Sequence, residues 1–278
     1  MRLLLTGAAG IVGTLVRPIL LERGHELVSA DLKRIDALDG EVAVQADVRD
    51  RSRVDGLVAD AEAVIHLASA VGAEYTFEEV SGPNVQGQWN VLLACARHRR
   101  RLVYASSHHA VGFLPREGAP YGTDAAFRPD SPYGLSKAFG ELMAQYFFDR
   151  YGVESLGIRI GSLAERAMDE RRVHTWCSPR DLVDLFEIGL TRAGLGHRVV
   201  YGQSDNPAPF FDNATAESIG FAASERSTDH LADPGLLDQA PDPNDSASRY
   251  VGGFFATADA EGLEGADGGD GDLQRPDR

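Results

Sequence analysis

Short apolar runs alternate with amphipathic stretches through the first 160 residues. Leu3-Leu4-Leu5 ends at Thr6, and Gly7-Ala-Ala-Gly10-Ile-Val-Gly13 then leads into an amphipathic stretch to Leu21. That order predicts strand, glycine turn, helix. Leu27-Val28-Ser29-Ala30 predicts a second strand, which closes on Asp31. Residues 42–46 predict a third, before Asp47 and Val48, and 52–59 the helix after it. Residues 63–67 predict a fourth strand with a small-residue exit, Ala68-Ser69-Ala70. A helix over 85–98 and a fifth strand over 101–105 follow, leading into Ser106-Ser107-His108-His109. Residues 111–132 are rich in Gly, Pro and charge with no sustained period, which predicts a long loop over or beside the strand ends. A helix over 133–151 and a sixth strand over 155–160 complete the alternation.

Strands that alternate with helices in this way give an α/β fold with a doubly wound parallel sheet, the Rossmann fold. After Gly161-Ser162 the pattern loosens. Ser178 with Pro179 is a helix start, opening a helix to Thr191, and 198–201 reads as a short strand. The expected organisation is a nucleotide-binding core over 1–160 that includes the helix from Tyr133. A small substrate-binding lobe over 161–256 closes on the strand ends, and 257–278 is a disordered tail.

The glycine turn between first strand and first helix carries chemistry. Glycines allow a sharp turn and close approach of backbone to a pyrophosphate, and the helix start behind them, Ile11 and Val12, offers free N–H groups. Asp31 sits where an acid holds a ribose 2′-hydroxyl and repels a 2′-phosphate, which favours NAD over NADP, although Lys33 and Arg34 stand just beyond it. The exit of the fourth strand, Leu67, Ala68 and Ser69, is small enough for a cofactor to lie against. His66, inside that strand, reads as a packed strand residue.

Tyr133-Gly-Leu-Ser-Lys137 places a phenol and an ammonium on successive turns of one helix face. A lysine there favours the phenolate and turns a weak acid into a base usable near neutral pH. An ordinary helix start at Pro132 is the other reading of the same residues. Further along, Phe139, Leu142, Met143, Tyr146 and Phe147 make an apolar face too wide for one core contact. A subunit interface or burial within one chain would use it.

His108 and His109 are neighbours on an extended segment and point to opposite sides, and no Cys or carboxylate lies at a ligand spacing beside them. No metal is expected. A hydrogen-bonding role in a pocket and simple loop packing both remain open. Arg171-Arg172-Val-His174-Thr-Trp176 shows no clear helical period and reads as a bidentate anion site or a solvated turn.

Composition narrows the partners. The net charge of −15 and pI of about 4.9 argue against nucleic acid and against an anionic membrane surface. Of the 27 basic residues only Lys33 and Lys137 are lysines, so one of two lysines falls in the Tyr133 pattern. The cysteines, Cys95 and Cys177, have no partner spacing, which fits a reduced, cytoplasmic setting. Acidic residues outnumber basic ones seven to two from Thr257 to Arg278, hence the expectation of a solvating tail.

Gly7-x-x-Gly10-x-x-Gly13, Asp31, Asp47-Val48, Ser107 and Tyr133-x-x-x-Lys137 together resemble the extended short-chain dehydrogenase/reductase family over the first 160 residues. The resemblance implies a tyrosine base at Tyr133 and a lysine at Lys137 that binds the nicotinamide ribose. It also implies a serine at Ser107 that orients the substrate hydroxyl and a supporting asparagine at Asn84. Ala105-Ser-Ser-His-His109, Arg159-Ile-Gly-Ser162, Thr175-Trp176, Tyr201-Gly202, Phe211-Asp-Asn213, Pro241-Asp-Pro-Asn-Asp245 and Gly252-Gly253 are similar to the uronate dehydrogenases within that family. The implied activity is NAD-dependent oxidation of a hexuronate at C1 to the aldarolactone in a homo-oligomer. Arg171 is implied as clamp on the sugar carboxylate with Arg172 as understudy, Ser162 and His109 as sugar contacts, and Phe255 as the aromatic bordering the pocket. Two departures touch the substrate: His108 stands where an asparagine is usual, and an expected serine is missing from Ser69-Ala-Val-Gly-Ala73. Oxidation of a neutral or phosphorylated aldose, and a nucleotide-sugar epimerase or dehydratase, are the competing expectations.

Overall fold

The computed structural model describes residues 1–242 and 244–262. Its elements, in order, are β1 (Arg2–Thr6), α1 (Ile11–Glu22), β2 (Glu26–Asp31), β3 (Glu41–Gln45), α2 (Arg51–Ala59), β4 (Ala63–His66), α3 (Phe77–Val80), α4 (Gln88–His98) and β5 (Arg101–Ser107). There follow α5 (Pro132–Tyr151), β6 (Ser155–Ile160), β7 (Ser162–Leu163), α6 (Glu170–Thr175), β8 (Trp176–Cys177), α7 (Pro179–Thr191), β9 (His197–Gly202) and α8 (Ala214–Ser218). Seven strands form one parallel sheet in the order β3-β2-β1-β4-β5-β6-β9, the doubly wound arrangement the periodicity predicts.

The central strands are continuous apolar runs because helices cover both faces. Leu3, Leu5, Ile65, Val103 and Ile158 pack under α1 and α7, and Leu4, Val64, Leu102 and Tyr104 pack under α2, α4 and α5. In register, Thr6 lies beside His66 and Ser107 beside Ile160, so the strands end along one carboxyl edge. Thr6 Oγ1 is 2.7 Å from His66 Nδ1, and burial pushes the His66 imidazole down to about 3. His66 is a packed, neutral strand residue.

Three expectations are corrected. The sheet does not end at residue 160, because α7 packs on β5 and β6, and β9 pairs with β6. Residues 161–256 therefore contribute both an edge of the core and the cover over the strand ends. Second, residues 171–175 belong to the short helix α6, whose Asp169 side chain caps Arg172 N at 2.8 Å. Local capping decides this helix, which is too short for a period to register. Third, the helix expected to begin at Val85 is preceded by a wide π turn, Ser81–Gly87, where Gly87 lies against Val48 and a Cβ would come within 2.6 Å of its Cγ2. The acidic tail lies outside the described residues from 263 onward; Thr257 still hydrogen-bonds to Phe254.

Helix α5 starts as its sequence dictates. Ser131 caps Gly134 N at 3.0 Å, Pro132 occupies the first turn, and Gly152 at φ 71 ends it. It is held to the sheet by a buried bidentate pair, Arg159 on β6 donating to Glu141 at 2.9 Å through both Nε and Nη2. Breaking it from one side would strand a buried charge.

Candidate active site

The glycine turn leaves β1 at the carboxyl edge. Gly7 has φ 74, and a Cβ there would fall 2.4 Å from Ala68 N; one on Gly13 would fall 2.6 Å from Gly7 O. Only glycine allows β1, α1 and the exit of β4 to meet so closely. Helix α1 begins after Gly10 without a side-chain cap, and Ile11 is exposed, so its first N–H groups face the cleft unoccupied by protein caps. Asp31, at the end of β2, accepts from Ala9 N at 2.9 Å and from Lys33 N at 2.8 Å, which fixes its carboxylate at the mouth of this turn. The cradle fits a dinucleotide, with Gly7, Gly10, Ile11, Val12 and Gly13 for the pyrophosphate and Asp31 for a ribose.

Behind the cradle, Leu67 N donates to Thr6 O at 3.0 Å, Ala68 N lies 3.4 Å from Thr6 Oγ1, and the Ser69 hydroxyl turns to Ala70 O at 3.3 Å. Asp47 is engaged by Arg49 through Nε and Nη2 at 2.6 to 3.0 Å, and Val48 O accepts from Asn90 at 3.0 Å. Asn84, buried in the π turn, accepts from Ala70 N at 2.7 Å and donates to Ala70 O at 3.0 Å and Ser136 Oγ at 2.9 Å. It ties the β4 exit to α5 one turn from Tyr133.

Ser107 ends β5; its hydroxyl accepts from His109 N at 3.2 Å and lies near enough to the Tyr133 phenol to favour the phenolate. Lys137 Nζ donates to Ala105 O at 2.9 Å and lies 5.6 Å from the centre of the Tyr133 ring. Burial pushes the ammonium down to about 8 and the phenol up to about 12, with Asp130 adding to the latter and Ser107 opposing it. In the chain alone desolvation dominates the phenol, and the Lys137 ammonium donates to a carbonyl.

Beyond Ser107 the chain makes a 3₁₀ turn, His108–Val111, instead of the extended path expected. The two imidazoles lie 4.2 Å apart and are given different partners. His108 Nδ1 is 3.0 Å from Ile160 O, which can only accept, so Nδ1 carries the proton and Nε2 is an acceptor. Arg171 Nη1 approaches that Nε2 at 3.4 Å and donates to Val251 O at 3.0 Å. His109 Nδ1 meets the Asp130 carboxylate at 2.7 Å, and its ring stacks on Phe255 with centroids 3.8 Å apart. Burial holds both imidazoles well below the ordinary histidine range, so both are neutral.

Arg171 is half-buried at the C-terminal side of the cleft, close under Gly253, and desolvation pushes its guanidinium down to about 10. Among the described residues no carboxylate lies within ion-pair distance of it. Arg172 instead pairs with Asp169 at 3.4 Å on the exposed side of α6. Ser162 Oγ bonds Thr175 Oγ1 at 2.9 Å, beside the carbonyl of Arg171. The geometry thus joins Ser107, His108, His109, Tyr133, Arg171 and Phe255 in one contact cluster. Among the described residues no cluster of three or more metal-ligating side chains occurs.

Sequence reasoning missed Asp130 and the carbonyl of Val251. The only signal for the first is that Asp130 precedes a cap, Ser131, in a loop otherwise without pattern; nothing local marks the second.

The NAD dependent epimerase/dehydratase family matches residues 3–173. Uronate dehydrogenase of Pseudomonas putida is 40% identical over 92% of this chain and 96% of its own length. The Pseudomonas syringae pv. tomato uronate dehydrogenase is 38% identical over 92% and 94%. A crystal structure of a variant uronate dehydrogenase from Agrobacterium tumefaciens complexed with NAD superposes with a TM-score of 0.86 at 35% identity, covering 93% of this chain and 98% of that one.

Proposed function

Since the chain belongs to the NAD-dependent epimerase/dehydratase family and, within it, to the uronate dehydrogenases, we propose that it oxidises the C1 hydroxyl of a cyclic hexuronate to the aldarolactone with NAD. The observation that carries the substrate class is Arg171: a desolvated guanidinium with no carboxylate in ion-pair contact among the described residues, beside His108, whose neighbour His109 packs near Tyr133. Asp169 and Asp130 act on this cation only from a distance, and a sheltered cation lacking a direct ion pair among the described residues gains from an anion brought into contact. A sugar carboxylate supplies one.

When bound, the nicotinamide supplies the hydride acceptor. Tyr133 takes the proton of the anomeric hydroxyl as the C1–H bond breaks, and Ser107 orients that hydroxyl. Lys137 holds the cofactor ribose and stabilises the phenolate, which burial alone disfavours. Asn84 braces α5 against the β4 exit. Arg171 grips the carboxylate through nitrogens left free by Val251 and His108, while His109, Ser162 and Phe255 border the ring. Residues 1–160 serve the nucleotide, and the segments of 161–256 above the sheet serve the sugar.

Two finer readings accompany this. Leu135, Phe139, Leu142 and Tyr146 lie exposed along α5, with Trp89 of α4 stacked on Tyr146 at 6.2 Å. A second copy of the chain covers that face, making the enzyme a homo-oligomer, dimer or higher, which sedimentation equilibrium tests. Cys95 and Cys177 are free and buried, in keeping with a reducing cytoplasm.

The test is NADH formation at 340 nm with glucuronate and galacturonate beside glucose, arabinose and glucose 6-phosphate. The uronates are expected to turn over about 10- to 100-fold faster than the neutral sugars. Preference for a neutral or phosphorylated aldose sinks the assignment of substrate and leaves the nucleotide side intact.

A further inference from the structure

Asp130 is a buried carboxylate that the mechanism above does not use. Its side chain is fully enclosed, between Ser131, which donates to Oδ1 at 3.0 Å, and His109, whose Nδ1 lies 2.7 Å from Oδ2. The enclosure is made by glycines from three separate segments. A Cβ on Gly112 would fall 1.7 Å from Oδ2, one on Gly252 would fall 2.0 Å from it, and one on Gly134 would fall 3.0 Å from Oδ1. The slot therefore admits a carboxylate only because the turn after β5, the first turn of α5 and the C-terminal segment all lack a side chain there.

The imidazole sits among the aromatic rings of the site. His109 packs flat on Phe255 and lies 6.0 Å, edge to face, from the Tyr133 ring. Its backbone N–H donates to Ser107 Oγ at 3.2 Å, and Nε2 has no protein partner among the described residues. One nitrogen is thus committed to a buried carboxylate, and the other belongs to a ring whose neighbours are Phe255 and Tyr133.

We propose that Asp130 is a positioning residue that fixes the tautomer of His109, accepting Nδ1–H so that Nε2 presents a lone pair to a hydroxyl of the sugar substrate. The inference rests on the reading of the site as one for a sugar acid. A hydroxyl that donates to Nε2 can at the same time accept from a neighbouring group, whereas an Nε2–H tautomer would demand an acceptor there. The arrangement selects a polyhydroxylated ring over an apolar carbonyl or alcohol substrate. Burial pushes Asp130 up to about 7, so the carboxylate form that accepts from Nδ1–H prevails above neutrality.

The test uses the full chain labelled with ¹⁵N-histidine, recorded by long-range ¹H–¹⁵N correlation at pH 8.5. The His109 signals are identified by their loss in His109→Gln. A protonated Nδ1 and an unprotonated Nε2 are expected; the reverse pattern overturns the proposal whatever the substrate proves to be. In Asp130→Asn the amide can donate to Nδ1, and the signals should move toward the Nε2–H form. KM for the sugar the enzyme turns over should then rise about tenfold, the scale of one net hydrogen bond, with KM for NAD unchanged and kcat within about threefold. An unchanged sugar KM, or equal losses in sugar and NAD binding, would overturn it. If Asp130→Asn does not fold, the wild-type spectrum decides alone. Absence of turnover with every uronate would count against the proposed activity without touching the tautomer.

Discussion

The two sides of the cleft are built differently. On the side proposed for the nucleotide, the groups on offer are mainly backbone: the N–H groups at the start of α1, glycines that clear space, and one carboxylate, Asp31, pinned by two N–H donors. On the side proposed for the sugar they are side chains drawn from four distant segments, Ser107 to His109, Tyr133, Arg171 and Phe255, each packed or hydrogen-bonded to another. Backbone cradles accept any ligand with the right phosphates. Side-chain sites discriminate, because each polar group left unpaired is costly. Changes on the sugar side should therefore alter which substrate reacts, and changes on the nucleotide side should alter all substrates alike.

The largest effect expected is from Tyr133→Phe, which removes the proton acceptor but leaves the aromatic ring. Turnover should fall by about 10² to 10⁴, the range for general base catalysis, while NADH binding followed by fluorescence stays within a few-fold. Retained turnover would remove Tyr133 from its role.

Arg171→Ala comes next. Loss of a charge-assisted contact should lower kcat/KM for the uronate by about 10- to 100-fold and leave a neutral aldose unaffected, measured on matched sugars. Equal losses on both would return Arg171 to a structural part, through its bond to Val251 O.

A pH series reports on the same proton from the other direction. Burial places the Tyr133 phenol at about 12 in the chain alone, so the neutral form dominates at pH 7 and the base appears only as pH rises. With NAD saturating, kcat/KM should climb with pH, by as much as about tenfold per unit on the acid limb, before levelling where the cofactor's charge and Lys137 have brought the phenol. A flat profile from pH 6 to 9 would contradict this.

On the nucleotide side, Asp31→Ala should raise KM for NAD about tenfold for every sugar tested, with the ratio between sugars unchanged. A change in that ratio would blur the division between the two sides. The smallest effect is expected for His108→Asn. The amide replaces one acceptor 3.4 Å from Arg171, so the uronate KM should move by about threefold only. A larger change would make His108 a direct ligand of the sugar.

Sequence by itself determined the first six strands and the local patterns of the first half. Apolar runs spaced by amphipathic stretches specify βα units, and the glycine turn, Asp31 and the Tyr133/Lys137 pair are local patterns whose geometry follows from helix and turn periodicity. The same holds for the cap at Ser131 and for Pro179 behind Ser178. Tertiary structure decided what local pattern cannot encode. It returned β9 to the edge of the sheet, set Asp130 against His109 across 21 residues, and brought the 171 and 251 segments together around one guanidinium. It also set the burial that pushes the Tyr133 phenol up in the chain alone, because spacing along a helix fixes which groups are neighbours but says nothing of how much water is left around them.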